Sequence, residues 1–144
     1  MTIVRDLLKA KSGGTIFHVT AGATVLEAMQ LMAQHNIGAV LVMDGETITG
    51  ILSERDIVRK VDLAGKTSAA TLVGDIMTGR VLYIEAGQSL EECMALMTEK
   101  RIRHLPVLES GRLLGLISIG DVLREVIHEQ KFIISQLEHY IRGG

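Results

Sequence analysis

Residues 16–61 lie over residues 81–126 with a constant offset of 65 positions and no gap. A chain that repeats itself in this way must build one supersecondary unit twice, which constrains its fold more than any propensity does. Roughly a quarter of the aligned positions are identical, and most of the others keep their apolar or polar character. Matched pairs include Gly22 with Gly87, Glu27 with Glu92, Ile37 with Ile102, Gly50 with Gly115, Ser53 with Ser118 and Asp56 with Asp121. A shorter echo precedes each copy, as Val4-Arg5-Asp6-Leu7-Leu8 and Val73-Gly74-Asp75-Ile76-Met77, with a few extra residues around Ser12-Gly13-Gly14 in the first.

Each copy has the same order of signals. A short apolar stretch, Ile16–Val19 or Val81–Ile84, reads as a strand. Thr24 and Ser89 then stand as helix N-caps before apolar residues at helical spacing. Two β-rich runs follow around a turn, Asp44-Gly45 in one copy and Ser110-Gly111 in the other, and predict antiparallel neighbours. A second helix starts at Glu54 and at Ile119. The expectation is an α/β (α+β) fold of two strand-helix-strand-strand-helix repeats, packed as a pseudo-twofold pair. Residues 1–70 form the first domain, with a polar linker from about Asp62, and residues 71–144 form the second. Neither half buries enough surface alone, so the copies are expected to pack together.

The last helix of the second copy does not stop where its counterpart does. Val122, Val126, Ile127, Ile133, Ile134, Leu137 and Ile141 extend an apolar stripe to Gly143-Gly144. Its expected partner is a second copy of the chain, making a homodimer.

Composition removes several classes of function. The chain is 47% hydrophobic and 22% charged with mean hydropathy +0.31, which supports a core and excludes disorder. Net charge is −2, and two Tyr, two Phe and no Trp leave few stacking platforms, so nucleic acid is not an expected partner. No apolar run approaches the roughly 18 residues of a membrane span, and no secretory signal pattern opens the chain. Cys93 has no partner for an internal disulfide, which points to the cytoplasm. The five histidines are scattered, and no metal site is expected.

The sharpest chemistry lies in Gly50-Ile51-Leu52-Ser53-Glu54-Arg55-Asp56 and Gly115-Leu116-Ile117-Ser118-Ile119-Gly120-Asp121. In each, an apolar strand ends in a Ser that opens a helix, with Asp three residues later. Helix N-termini suit phosphates, and an ionised Asp offers two oxygens to a ribose diol. The same Ser-x-x-Asp spacing is also a capping box, in which the pair satisfies the helix's own donors. Both readings stand at this point.

The pattern V-x-D-I-M-T, G-x-S-L-x-E-x-x-x-L-M, I-R-H-L-P-V and G-L-I-S-I-G-D-V, running from Val73 to Val126, resembles the cystathionine-β-synthase-like (CBS) domain. The first copy resembles it through Asp6-Leu7-Leu8, Gly22–Ala28 and Gly50–Asp56. A tandem pair of such domains, a Bateman module, implies a regulatory signal-transduction protein without catalysis. Its clefts between the two repeats take adenosine-containing ligands: AMP first, then ADP, ATP, NAD(H) or S-adenosylmethionine. By resemblance, Ser53 with Asp56 and Ser118 with Asp121 hold ribose and phosphate. Arg103 and His104 face the phosphates; Gly38 and Ala39 stand there in the first copy, where Arg55 is expected to supply the charge. Ile16, Phe17 and His18, and Val81, Leu82 and Tyr83, hold the base. Ile37, and Ile102, Leu105 and Pro106, complete the two clefts. The expected function is reporting energy or redox state to another polypeptide. The alternative is a ligand-free structural or oligomerisation module. An enzyme using Asp56 or Asp121 as general base is disfavoured, because no second catalytic group accompanies either one.

Overall fold

The computed structural model describes residues 2–11 and 16–142; the spacer at Ser12-Gly13-Gly14 and the terminal Gly143-Gly144 fall outside them. The elements are α1 (Val4–Ala10), β1 (His18–Val19), α2 (Val25–His35), β2 (Ala39–Asp44), β3 (Thr47–Ser53) and α3 (Glu54–Ile57), with a π-helical turn over Val58–Asp62. They continue with α4 (Val73–Ile76), β4 (Ile84–Glu85), α5 (Leu90–Lys100), β5 (His104–Glu109), β6 (Arg112–Ser118) and α6 (Ile119–Ile141). The fold is mixed α/β with two three-stranded sheets, ordered β1-β2-β3 and β4-β5-β6. In each sheet the first pairing is parallel and the second antiparallel.

Local chemistry explains most boundaries. The Thr24 hydroxyl accepts the Glu27 N–H at 3.1 Å and opens α2. Ser89 does the same for α5 through the Glu92 N–H at 3.1 Å, while the Glu92 carboxylate accepts the Ser89 N–H. That exchange, led by the Gln88 side-chain amide, holds the Glu92 carboxyl below its ordinary range. The two hairpin loops are Gly45-Glu46 and Ser110-Gly111. Gly45 takes a positive φ at the first central position, whereas Ser110 and Gly111 both do, which accounts for the one-residue offset between the turn signals.

One expectation needs correction. The opening strands are shorter than the apolar stretches, and the second is displaced. Only His18–Val19 and Ile84–Glu85 pair with a neighbour, so Ile16, Phe17, Val81, Leu82 and Tyr83 precede the strands. The second helix of the first copy leaves α-geometry after Ile57. Leu63 N–H reaches Val58 O and Lys66 N–H reaches Val61 O, both at 2.9 Å and five residues back.

Packing groups residues 16–81 into one unit and, among the described residues, 2–11 with 82–142 into the other. The cause is the short echo segment. In the first-copy unit, Val73 N–H donates to Ala23 O and Gly74 N–H to Ala21 O, and Val25 N–H donates to Thr71 O. In the second-copy unit the equivalent bonds run from Val4 N–H to Gln88 O, Arg5 N–H to Ala86 O and Leu90 N–H to Thr2 O. Each copy is therefore completed by the segment that precedes the other copy in sequence. Val4 and Leu7 enter the core with Leu90, Cys93, Leu105, Ile117 and Val122, whereas Val73 and Ile76 join Val25, Val40, Leu52 and Val61.

Gly50 and Gly115 are glycines because these segments pass over them. A Cβ at Gly50 would lie 2.5 Å from Met77 Sδ and 3.0 Å from the Thr78 backbone oxygen; at Gly115 it would meet only the Leu8 side chain, at 2.9 Å. A side-chain end can move, but the Thr78 carbonyl is fixed by its pairing with Ile51. Gly50→Ala is expected to cost about 1–3 kcal/mol, and Gly115→Ala less, in chemical denaturation.

Candidate functional site

Strand directions gather the expected site residues at one end of each sheet. β1 and β2 run parallel and start there, and antiparallel β3 ends there. Ala39 pairs with Ser53, and Gly38 O accepts the Glu54 N–H at 3.0 Å, so Ile37–Ala39 lie beside Ser53–Asp56, with Ile16–His18 entering at the same end. In the second-copy unit His104 pairs with Ser118, and Arg103 O accepts the Ile119 N–H at 2.8 Å. Leu82 and Tyr83 enter β4 at that end, and Ile102 leads into β5 with its buried Leu105 and Pro106. Val81 falls to the other unit. Phe17 is partly buried and its ring stacks on His35, with centroids 3.9 Å apart and planes 22° from parallel, so one face of the ring is already taken.

Both Ser-x-x-Asp pairs form complete capping boxes. Asp56 Oδ2 accepts the Ser53 N–H and hydroxyl at 3.0 Å each, and Ser53 Oγ accepts the Asp56 N–H at 3.2 Å. Asp121 Oδ2 accepts the Ser118 N–H at 2.8 Å, and Ser118 Oγ accepts the Asp121 N–H at 3.2 Å. The capping reading is thus met in both copies, and each carboxylate has further donors.

Those donors are chiefly cations, and the sequence reading did not single them out. Lys60 Nζ lies 3.2 Å from Asp56 Oδ1 and donates to Ile76 O at 3.0 Å; Thr78 Oγ1 donates to Asp56 Oδ1 at 3.3 Å. Lys60 is the cation on Asp56, and Arg55, expected on the phosphate side of this site, is exposed at the start of α3. The i,i+4 spacing of Asp56 and Lys60 was readable in principle. In the second-copy unit Lys11 Nζ lies 3.0 Å from Asp121 Oδ2 and donates to Leu116 O at 2.7 Å, and Arg124 bonds Asp121 Oδ1 at 2.5 Å. Nothing local links Lys11 to Asp121; only the docking of α1 brings them together.

The electrostatics follow from these contacts. Burial pushes the Asp121 carboxyl upward, but the Ser118 N–H and the Lys11 ammonium outweigh it, and the group sits below the ordinary Asp range. His104 is held below the ordinary His range by burial first and by Lys11 next, with Arg103 adding and Asp121 opposing. Burial raises Cys93 to about 11, so it is an inert core thiol. Among the described residues no group of three or more His, Cys, Asp or Glu side chains is placed to hold a metal ion, and no helix is long and apolar enough to cross a membrane.

Comparison with known proteins agrees with this architecture. The chain is 38% identical over 99% of its length to the CBS domain-containing protein CBSX3, mitochondrial, of Arabidopsis thaliana, covering 73% of that protein. It is similar to the solved structure of a putative signal-transduction protein with CBS domains from Burkholderia ambifaria, with 56% identity, TM-score 0.86, and 90% and 96% of the two chains covered. It shares its fold, at 21% identity and TM-score 0.76, with a CBS domain pair in complex with 5′-methylthioadenosine and S-adenosyl-L-methionine; 90% of this chain and 98% of that one are covered. The sequence profile of the CBS domain matches residues 4–63 and again 73–128, one match on each copy, and the chain belongs to the CBS domain family as a tandem pair.

Proposed function

We propose that this pair is a non-catalytic regulatory module that binds an adenosine-containing nucleotide, with AMP the first ligand to test. The observation that carries the reading is the duplicated site. In both copies the last strand of the sheet delivers Ser and Asp to a helix start beside the residue that opens the neighbouring strand. An ionised Asp with a helix N-terminus suits ribose and phosphate together. Arg103 and His104 give the second-copy site its phosphate side, and Gly38 and Ala39 leave the first less charged. Both ligands of the CBS pair named above contain adenosine, which fits this class. The signal passes to another polypeptide, in the cytoplasm, from a homodimer joined through α6, and reports energy or redox state.

A second reading has its own support. Both Asp side chains are satisfied by a capping box and a lysine, as a purely structural association module requires. Thermal unfolding with AMP, 2′-deoxy-AMP and no ligand separates the two. A ligand at one hundred times its Kd stabilises the native state by about 2.7 kcal/mol. AMP should raise Tm clearly and the deoxy form much less, because it lacks one hydroxyl of the diol. No rise with either nucleotide supports the association module.

A further inference from the structure

The Asp121 carboxylate has about four acceptor positions, and three are occupied, by the Ser118 N–H, Lys11 and Arg124. A ribose diol brings two donors, so one protein donor has to give way. The Ser118 amide is fixed at the junction of β6 and α6 and cannot leave. Arg124 is the more exposed but holds the other oxygen, Oδ1, whereas Lys11 shares Oδ2 with the Ser118 N–H; Lys11 carries a flexible four-carbon stem and keeps a second anchor in Leu116 O, so its ammonium can swing without losing every partner. We infer that Lys11 reads the phosphate of the second-copy site: its ammonium pairs with Asp121 until a ribose hydroxyl replaces it, then turns to the 5′-phosphate carried by that same ribose. This rests on the reading that Asp121 meets a ribose diol.

The exchange conserves charge pairing. Lys11 trades one carboxylate for one phosphate oxygen, while Asp121 trades a cation for hydroxyl donors. Arg103, two positions before the buried Leu105 and one before His104, adds a second positive charge on the same side. A 5′-phosphorylated ribonucleoside supplies both halves of the exchange. An unphosphorylated nucleoside displaces Lys11 and gives it nothing in return. Lys11 therefore sets a preference for nucleotides over nucleosides. In the first-copy site the lysine on Asp56 is Lys60, anchored on Ile76 O, so a change at Lys11 leaves that site untouched.

Titrations followed by NMR test this, with the Ser118 amide reporting the second-copy site and the Ser53 amide the first. AMP and adenosine are each added to wild type, Lys11→Met and Lys11→Arg. Lys11→Met should weaken AMP at Ser118 at least tenfold, leave adenosine there unchanged or tighter, and leave Ser53 unaffected; Lys11→Arg should keep most of the AMP affinity. Equal changes for AMP and adenosine, or no change for AMP, overturn the assignment. If neither compound shifts Ser118 in the wild type, the ribose reading itself fails and the Lys11 assignment falls with it. Should Lys11→Met melt well below wild type, Lys11→Gln, which keeps a donor for Leu116 O, carries the same comparison with the same outcomes.

Discussion

Asp121→Ala is expected to destabilise the ligand-free protein by about 2–4 kcal/mol and to lower nucleotide affinity at the second-copy site at least tenfold. The two losses have separate origins. For stability, the side chain is buried and accepts the Ser118 N–H, Lys11 and Arg124. Removing it deletes the acidic half of a capping box, about 0.5–2 kcal/mol, and a charge-assisted bond from a buried position, about 1.5–3 kcal/mol. Partial rehydration and the remaining Leu116 O anchor of Lys11 keep the sum below the simple total. For affinity, the ribose loses its acceptor. Asp121→Asn separates the two origins, since Asn keeps an acceptor oxygen for the Ser118 N–H yet loses the charge. Chemical denaturation and calorimetry on both variants read the two effects. Acid supplies a further check. The Asp121 carboxyl lies below its ordinary value in the folded protein, so its stabilisation is fully present above the unfolded pKa of about 3.9 and drains away as pH falls through the folded value. The stability gap between wild type and Asp121→Asn should therefore narrow as pH drops below about 4. A gap that stays constant down to pH 2 would show that the charge contributes nothing.

What could be read from the sequence was what local chemistry decides. Thr24 and Ser89 cap their helices because a hydroxyl three residues before a free N–H has few better uses, and both caps were visible as residues. The hairpins, their antiparallel pairing and the Ser53/Asp56 and Ser118/Asp121 pairs were legible for the same reason. The duplication strengthened each of them, because one reading had to serve two places. Nonlocal features were not legible. Residues 2–11 hold to the second copy by backbone bonds to Ala86 and Gln88, and backbone groups carry no sequence signature. The Lys11–Asp121 pair inherits that blindness, spanning 110 positions between two residues that have no neighbourhood in common. The π-turn was hidden because Val58–Asp62 has ordinary helical composition. Within it Val61 is completely buried and Lys60 reaches Ile76 O. The opening strands were overread because apolar residues at 16–17 and 81–83 look like strand whether or not a neighbour pairs with them.

The largest effect on assembly is expected from Ile134→Glu combined with Leu137→Glu in α6. Of this 23-residue helix only Asp121 and Val122 are fully buried, and Ile134 and Leu137 are 54% and 56% exposed. Leu123, Ile127, Gln130, Ile134, Leu137 and Ile141 follow one another at alternating spacings of four and three residues. That is the seam of a coiled coil, with isoleucine at the three positions of one class and leucine at two of the three in the other, and this distribution favours two parallel strands. Gln130 is the one polar side chain in this seam. An apolar seam of this length is costly to leave in water, so a second copy is its natural cover. Burying one Ile or Leu contributes about 1.5–3 kcal/mol, and the double variant removes four such side chains from a dimer. The dimer should then weaken by at least roughly 6 kcal/mol, more than four decades in Kd. Sedimentation equilibrium at micromolar concentration should find the wild type as a dimer and the variant as a monomer. Circular dichroism should show helix lost only beyond about Val126, because Ile119, Val122 and Val126 remain packed on the second-copy core. A wild type that sediments as a monomer overturns the dimer; a variant that stays dimeric moves the interface off α6.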